Sequence, residues 1–277
     1  MSPKPKDLET TAAQAAVQEK VYDWLGASES YKNVLSLIGE HDFSALGEEY
    51  ERIGYAAYRA AMQSKNQEEF KERMQQATKA YEKANGFYDQ LEGKKEAKMF
   101  RCQAFSKYLG YWLSPSPAEK RRLLDECLDL EDKALVAFLG SGNPLEYVKT
   151  FNMLALAILH RSHLEWNRQS LKTTIERGTE WAEKTIELGS KSGNSYETGR
   201  AFLGLGLVRA CDFFGYYFTE DPQDQEQLLL KVIEHFRKAI EFSQKANDAH
   251  SLSLSHYWLG LYSGAQESLV QKALEYG

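Results

Sequence analysis

Residues 183–194 read EKTIELGSKSGN, and residues 237–248 read RKAIEFSQKAND. Laid over each other, the two segments carry charged, apolar and turn-forming side chains in the same places. In the same alignment Leu205-Gly206-Leu207 falls on Leu259-Gly260-Leu261. Shorter echoes run further back: Lys79-Ala80-Tyr81, Lys133-Ala134-Leu135, Lys184-Thr185-Ile186 and Lys238-Ala239-Ile240 follow one another at nearly even spacing. A fixed period of roughly 50 residues marks an array in which each unit is one supersecondary element that cannot bury its apolar face alone.

Within the units the apolar residues recur three and four apart, as in Phe70, Met74, Ala77, Tyr81 and Ala84, or Leu171, Ile175, Gly178, Ala182 and Gly189. That spacing places them on one face of a helix. A small residue recurs inside helical segments at Gly54, Gly110, Ala155, Gly206 and Gly260. Glycine there costs about 1 kcal/mol relative to alanine, so it implies a close neighbouring helix. Helix starts are marked by Ser116-Pro117, Asn143-Pro144 and Asp221-Pro222, with Ser64 and Gln67 as a capping box. Turns are read at Asn85-Gly86, 140–142 and Gly193-Asn194. The spacing predicts an N-terminal helical extension over 1–43, with helices near 8–25 and 28–39, and a repeat domain over 44–277. In that domain hairpins pair 44–62 with 66–85, 88–113 with 117–139, 144–167 with 169–190 and 195–218 with 222–246, and a last helix covers 248–275.

The first hairpin resembles a tetratricopeptide repeat. Tyr50-x-x-Ile53-Gly54-x-x-Ala57 is similar to that motif's first helix and Ala77-x-x-x-Tyr81-x-x-Ala84 to its second, while Phe151-x-x-Leu154-Ala155-x-x-Ile158 and the surroundings of Gly206 and Gly260 repeat the first-helix pattern. The usual unit is about 34 residues; here it runs to roughly 45 to 56, by lengthening both helices. The resemblance implies an all-α, right-handed α-α superhelix whose first helices line a concave face that receives a protein or peptide. Counted from the small marker residue, the positions facing that groove are Glu51, Tyr55, Tyr58, Arg59, Lys107, Tyr111, Lys149, Asn152, His160, Arg200 and Tyr257. Basic, amidic and aromatic side chains in such a lining would suit an acidic peptide.

The bulk composition points the same way. A net charge of −6 disfavours a surface built to neutralise nucleic-acid phosphates. Apolar runs such as 154–159 and 202–208 fall far short of the ~20 residues that span a bilayer, so no membrane insertion is expected. Cys102, Cys127 and Cys211 have no paired spacing and, with the absence of a signal-like apolar run after residue 6, suit reduced core thiols in a cytoplasmic protein.

The chemistry-bearing residues do not assemble into a catalytic set. His160-x-x-His163 with Glu165 nearby lacks the further ligands of a zinc motif, and 189–193 lacks the order and preceding strand of a phosphate loop. Adjacent carboxylates such as Glu48 and Glu49 read as solvated surface. The expectation is a non-enzymatic scaffold with no metal and no cofactor. The alternative is a regulatory module that binds a small ligand in an aromatic pocket formed by Phe213, Phe214, Tyr216, Tyr217 and Phe218, five aromatics in six positions. Residues 252–274 are apolar around more than one helical face, which calls for a cover: a homodimer or a further domain.

Overall fold

The computed structural model describes residues 5–91, 96–140, 144–165, 167–216 and 222–276. All regular structure among them is helical: α1 (Pro5–Lys20), α2 (Trp24–Leu35), α3 (Phe43–Met62), α4 (Gln67–Asp89), α5 (Glu96–Leu113), α6 (Pro117–Leu139), α7 (Pro144–Ser162), α8 (Arg168–Ser192), α9 (Ser195–Tyr216), α10 (Pro222–Ala246) and α11 (Ala249–Tyr276). The chain divides into two compact units, Met1–Ala137 and Phe138–Gly277.

In the first unit α3 and α4 form an antiparallel hairpin held by glycine–tyrosine contacts. A Cβ on Gly47 would come within 2.5 Å of the Tyr88 ring, and one on Gly54 within 2.7 Å of Tyr81. The missing side chains let the two backbones approach, and each ring buried there contributes about 1.5–3 kcal/mol. Tyr81 then stacks on Phe105 of α5, with centroids 4.4 Å apart and planes at 12°. Helix α6 returns along α5, where Leu123 lies under Gly110 and Lys107 meets Glu126. Helices α1 and α2 cover the start of this stack, where Ala15, Trp24, Ala27 and Tyr31 share a core cluster with Ile53, Ala56 and Ala60.

The second unit repeats the scheme. Tyr147 of α7 packs on Trp181 of α8, Gly178 of α8 lies against Ile158 and Val208, and Gly189 sits against the Thr198 backbone at the α8–α9 turn. Gly206 of α9 lies under Phe236 of α10, and Phe236 in turn stacks on Trp258 and Tyr262 of α11.

The sequence period is realised in space. Tyr58 on α3 and Tyr108 on α5, one repeat apart, have ring centroids separated by 6.0 Å. Phe151 of α7 fills the space over Gly204 of α9, again one repeat on. The recurring tripeptides put a small residue at their centre on every second helix, and all four are buried: Ala80, Ala134, Thr185 and Ala239.

Several local expectations move. The helix expected over 8–25 stops at Lys20, because Tyr22 takes a positive φ of 62° and Asp23 caps the next helix by accepting from the Gly26 amide at 2.9 Å. The second helix is therefore α2, which starts at Trp24 instead of near 28. Asn85-Gly86 is not a turn; it lies inside α4, which runs on to bring Phe87 against Tyr50 and Tyr88 over Gly47. The cap of α4 is Asn66, not Ser64 with Gln67: the Glu69 amide donates to Asn66 Oδ1, and the Glu69 carboxylate accepts from the Lys65 amide just before the cap. Gly193 ends α8 with φ 65°, in the left-handed region as its position predicts. The three cysteines are buried free thiols. Among the described residues no helix is long and apolar enough to cross a membrane.

Candidate functional site

In the first unit the expected groove residues lie on α3 and α5, with α2 beside them. The Arg59 guanidinium lies 4.6 Å from the Trp24 ring centroid and 5.7 Å from that of Tyr55, and its Nη1 donates to the Tyr55 hydroxyl at 2.9 Å. Trp24 comes from α2, so the N-terminal helices, outside the expected repeat, cover this groove position. Tyr58 is buried, not open to a ligand: it packs edge-on to Phe105 and Tyr108, and burial pushes its hydroxyl up to about 12. Lys107 pairs with Glu126 at 2.6 Å, and Tyr111 packs between Tyr108 and Trp112 with the Lys120 ammonium 5.3 Å from its ring.

Glu51 belongs to the architecture. It accepts from the Tyr88 hydroxyl at 2.6 Å and from Arg101 Nε at 3.1 Å, so one carboxylate ties α3 to both α4 and α5. Lys98 and Glu48 add a second α5–α3 bridge at 2.7 Å. Arg101 escaped the sequence reading although it stands one repeat after Glu51, the spacing of neighbouring first helices; that spacing is the signal that would have found it.

In the second unit the expected residues are spread over three helices. On α7, exposed Lys149 pairs with Glu146 at 3.1 Å, half-buried Asn152 keeps its Nδ2 buried without a hydrogen-bond partner, and His160 is half-buried. On α9, Arg200 lies over the exposed Tyr196 ring at 5.0 Å with Asp248 at 3.8 Å. On α11, Tyr257 is 65% exposed and edge-on to Trp258.

Glu165, read beside His160 and His163, is a helix-capping group. It accepts from the Asn167 amide at 2.8 Å and the Ser170 hydroxyl at 3.1 Å and pairs with Arg161 at 2.8 Å. Its burial favours the neutral form, but the Asn167 amide and the Arg161 charge hold the carboxyl below its usual range. Among the described residues no three His, Cys, Asp or Glu side chains are grouped to hold a metal ion. A shallow cleft of about 300 Å³ runs beside α8, lined by Lys172, Glu176, Thr179, Glu183 and Arg209 among others; none of the expected site residues lies in it. The aromatic run splits: Tyr217 and Phe218 lie outside the described residues, and for Phe213, Phe214 and Tyr216 only the α9 backbone is described.

No known protein-family model matches the chain, and no curated protein matches it. Among solved structures it is similar to aspartyl phosphate phosphatase F from Bacillus subtilis, with a TM-score of 0.54 and 14% identity, over 96% of this chain and 58% of that one. The fold is a tetratricopeptide-like helical repeat. This helical repeat spans little more than half the length of that protein. A de novo designed helical repeat protein is also similar, at a TM-score of 0.45 and 15% identity over 82% of this chain and 94% of the design.

Proposed function

We propose that this tetratricopeptide-like repeat is a non-enzymatic, cytoplasmic scaffold that holds a protein or peptide against its first helices. The observation that carries this reading is the parallel register of neighbouring first helices. Tyr58 meets Tyr108, Glu48 meets Lys98 and Glu51 meets Arg101, each pair 50 positions apart, so α3 and α5 run side by side in one unit, and Phe151 meets Gly204 across α7 and α9 in the other. An extended or helical segment laid across neighbouring first helices would meet Lys107 in the first unit, or Lys149 and Arg200 in the second.

The cations set the affinity expected. Lys107, Lys149 and Arg200 each stand beside a carboxylate of this chain, namely Glu126, Glu146 and Asp248. An acidic partner therefore exchanges one ion pair for another, and exposed pairs are worth about 0.2–1 kcal/mol each. Binding should be modest and should weaken with salt.

Acidic peptides selected from a display library on the intact chain test the proposal, with affinities measured by fluorescence anisotropy. Replacing Lys107, Lys149 and Arg200 together with alanine should weaken the best binder by about tenfold to a hundredfold, with helicity by circular dichroism preserved. Unchanged affinity would sink the groove assignment. Separate replacement of Lys107 and of the Lys149/Arg200 pair tells which unit holds the peptide.

A further inference from the structure

Helix α11 carries the first-helix marker of the repeat without the contact that the marker makes elsewhere. Gly54 is covered by Tyr81 and Gly206 by Phe236, in each case a ring from the following helix at less than 3 Å from an added Cβ. Gly110 meets Leu123 at 3.4 Å. At Gly260, which the repeat lays over Gly206, nothing lies within 4 Å. The glycine costs the helix about 1 kcal/mol relative to alanine, and among the described residues no neighbouring helix uses the space it leaves.

The face around it is open and has no Asp, Glu, Lys or Arg. Ser253, His256, Tyr257, Gly260, Leu261 and Gly264 are all exposed, Tyr257 at 65% and Leu261 at 49%. From Ala249 to Gln266 the sequence has no Asp, Glu, Lys or Arg. A charged partner finds no complement on this stripe, whereas a second copy brings no like charge against it. The stripe is also self-complementary in size. In an antiparallel pair centred between Trp258 and Leu259, the bulkiest exposed side chain meets the residue that has none: Tyr257 meets Gly260, while Leu261 meets His256 and Ser253 meets Gly264.

We infer that α11 pairs antiparallel with α11 of a second copy, the Tyr257 ring of each chain seated over Gly260 of the other. The ring then occupies the place that Phe236 takes over Gly206, and the intramolecular hairpin contact continues between molecules. The charge-free stretch is about 27 Å long at 1.5 Å per residue and one helix wide. That is smaller than the ~800 Å² per partner of a standard stable interface, so the dimer is reversible and concentration-dependent.

Sedimentation velocity of the full chain from about 5 to 300 µM tests this, and a monomer–dimer equilibrium is expected. Gly260→Leu places its new Cβ in open space, so it should keep the circular dichroism of the parent and melt no lower than it, while weakening the dimer at least tenfold. Register is tested by disulfide trapping. A mixture of Tyr257→Cys and Gly260→Cys chains should cross-link faster than either variant alone, because the pairing sets position 257 against position 260. A monomer throughout the range, a Gly260→Leu dimer of unchanged strength, or a mixture that cross-links no faster than its components would each overturn the inference.

Discussion

Glu131 is fully buried on α6, and neither carboxyl oxygen has a hydrogen-bond partner. Burial pushes its carboxyl well above the usual range, against the opposing pull of the Arg101 charge. A raised folded-state value means that the native chain holds a proton the unfolded chain has released. The associated stability is complete below the unfolded carboxylate value and is lost as pH rises from there through the folded value. Glu131→Met removes the orphaned oxygens at similar volume. It should raise stability at pH 8 by about 1–3 kcal/mol and flatten the alkaline side of the profile, measured by urea unfolding at several pH values. His235 acts on the acid side. Burial, with Arg209, Lys238 and Lys231 nearby and Glu234 opposing, pushes its imidazole down to about 4. The folded value is depressed, so stability falls as pH drops from about 6.5 towards 4, and His235→Phe should remove that fall. Thiol chemistry gives a third test. Burial raises the Cys102 and Cys127 thiols, so little thiolate exists at pH 8. An aromatic disulfide reagent should label these cysteines slowly in the native chain and fully in denaturant.

At the scale of the helix, glycines that look alike in sequence differ in what they face. An added Cβ at Gly206 meets Phe236 at 2.7 Å, while at Gly260 it meets nothing. Gly206→Ala should therefore destabilise by about 1–3 kcal/mol through overpacking, whereas Gly260→Ala should gain up to about 1 kcal/mol of helix propensity. Paired thermal melts decide between them. Helix identity and order were legible because period and punctuation agree: α10 begins at Pro222 and α9 at Ser195 as the spacing predicts. The sites that misled share one cause, since local turn chemistry yields to packing. Asn85-Gly86 has the composition of a turn, but Tyr88 beyond it has Gly47 to cover. Tyr22 has no turn signature, yet it breaks a helix so that Trp24 can reach Arg59. The site was less legible than the fold. Counting from the marker residue names candidates along the first helices, but whether a tyrosine there is buried, as Tyr58 is, depends on neighbours about 50 residues away.

At the scale of the molecule, two units of stacked helices place stability in contacts between neighbours in the array. Glu51 is one such junction in the first unit, holding α3 to both α4 and α5. Glu51→Ala would leave Arg101, which is 6% exposed, without that carboxylate. Removing one partner of a buried pair costs about 3–5 kcal/mol. The loss should fall within Met1–Ala137, so native-state hydrogen exchange should quicken in α3 and α5 and stay at the parent rate in α9 and α10. The register of the array also bears on how such a chain can lengthen. Lys184-Thr185-Ile186 and Lys238-Ala239-Ile240 occupy equivalent turns of α8 and α10 and point a small buried side chain inward from each. An in-frame duplication of residues 186–239 would therefore join helix to helix in phase at the new seam. In genetic terms the period is a ready-made crossover length: unequal recombination between the two segments adds or deletes one complete hairpin without shifting any apolar face.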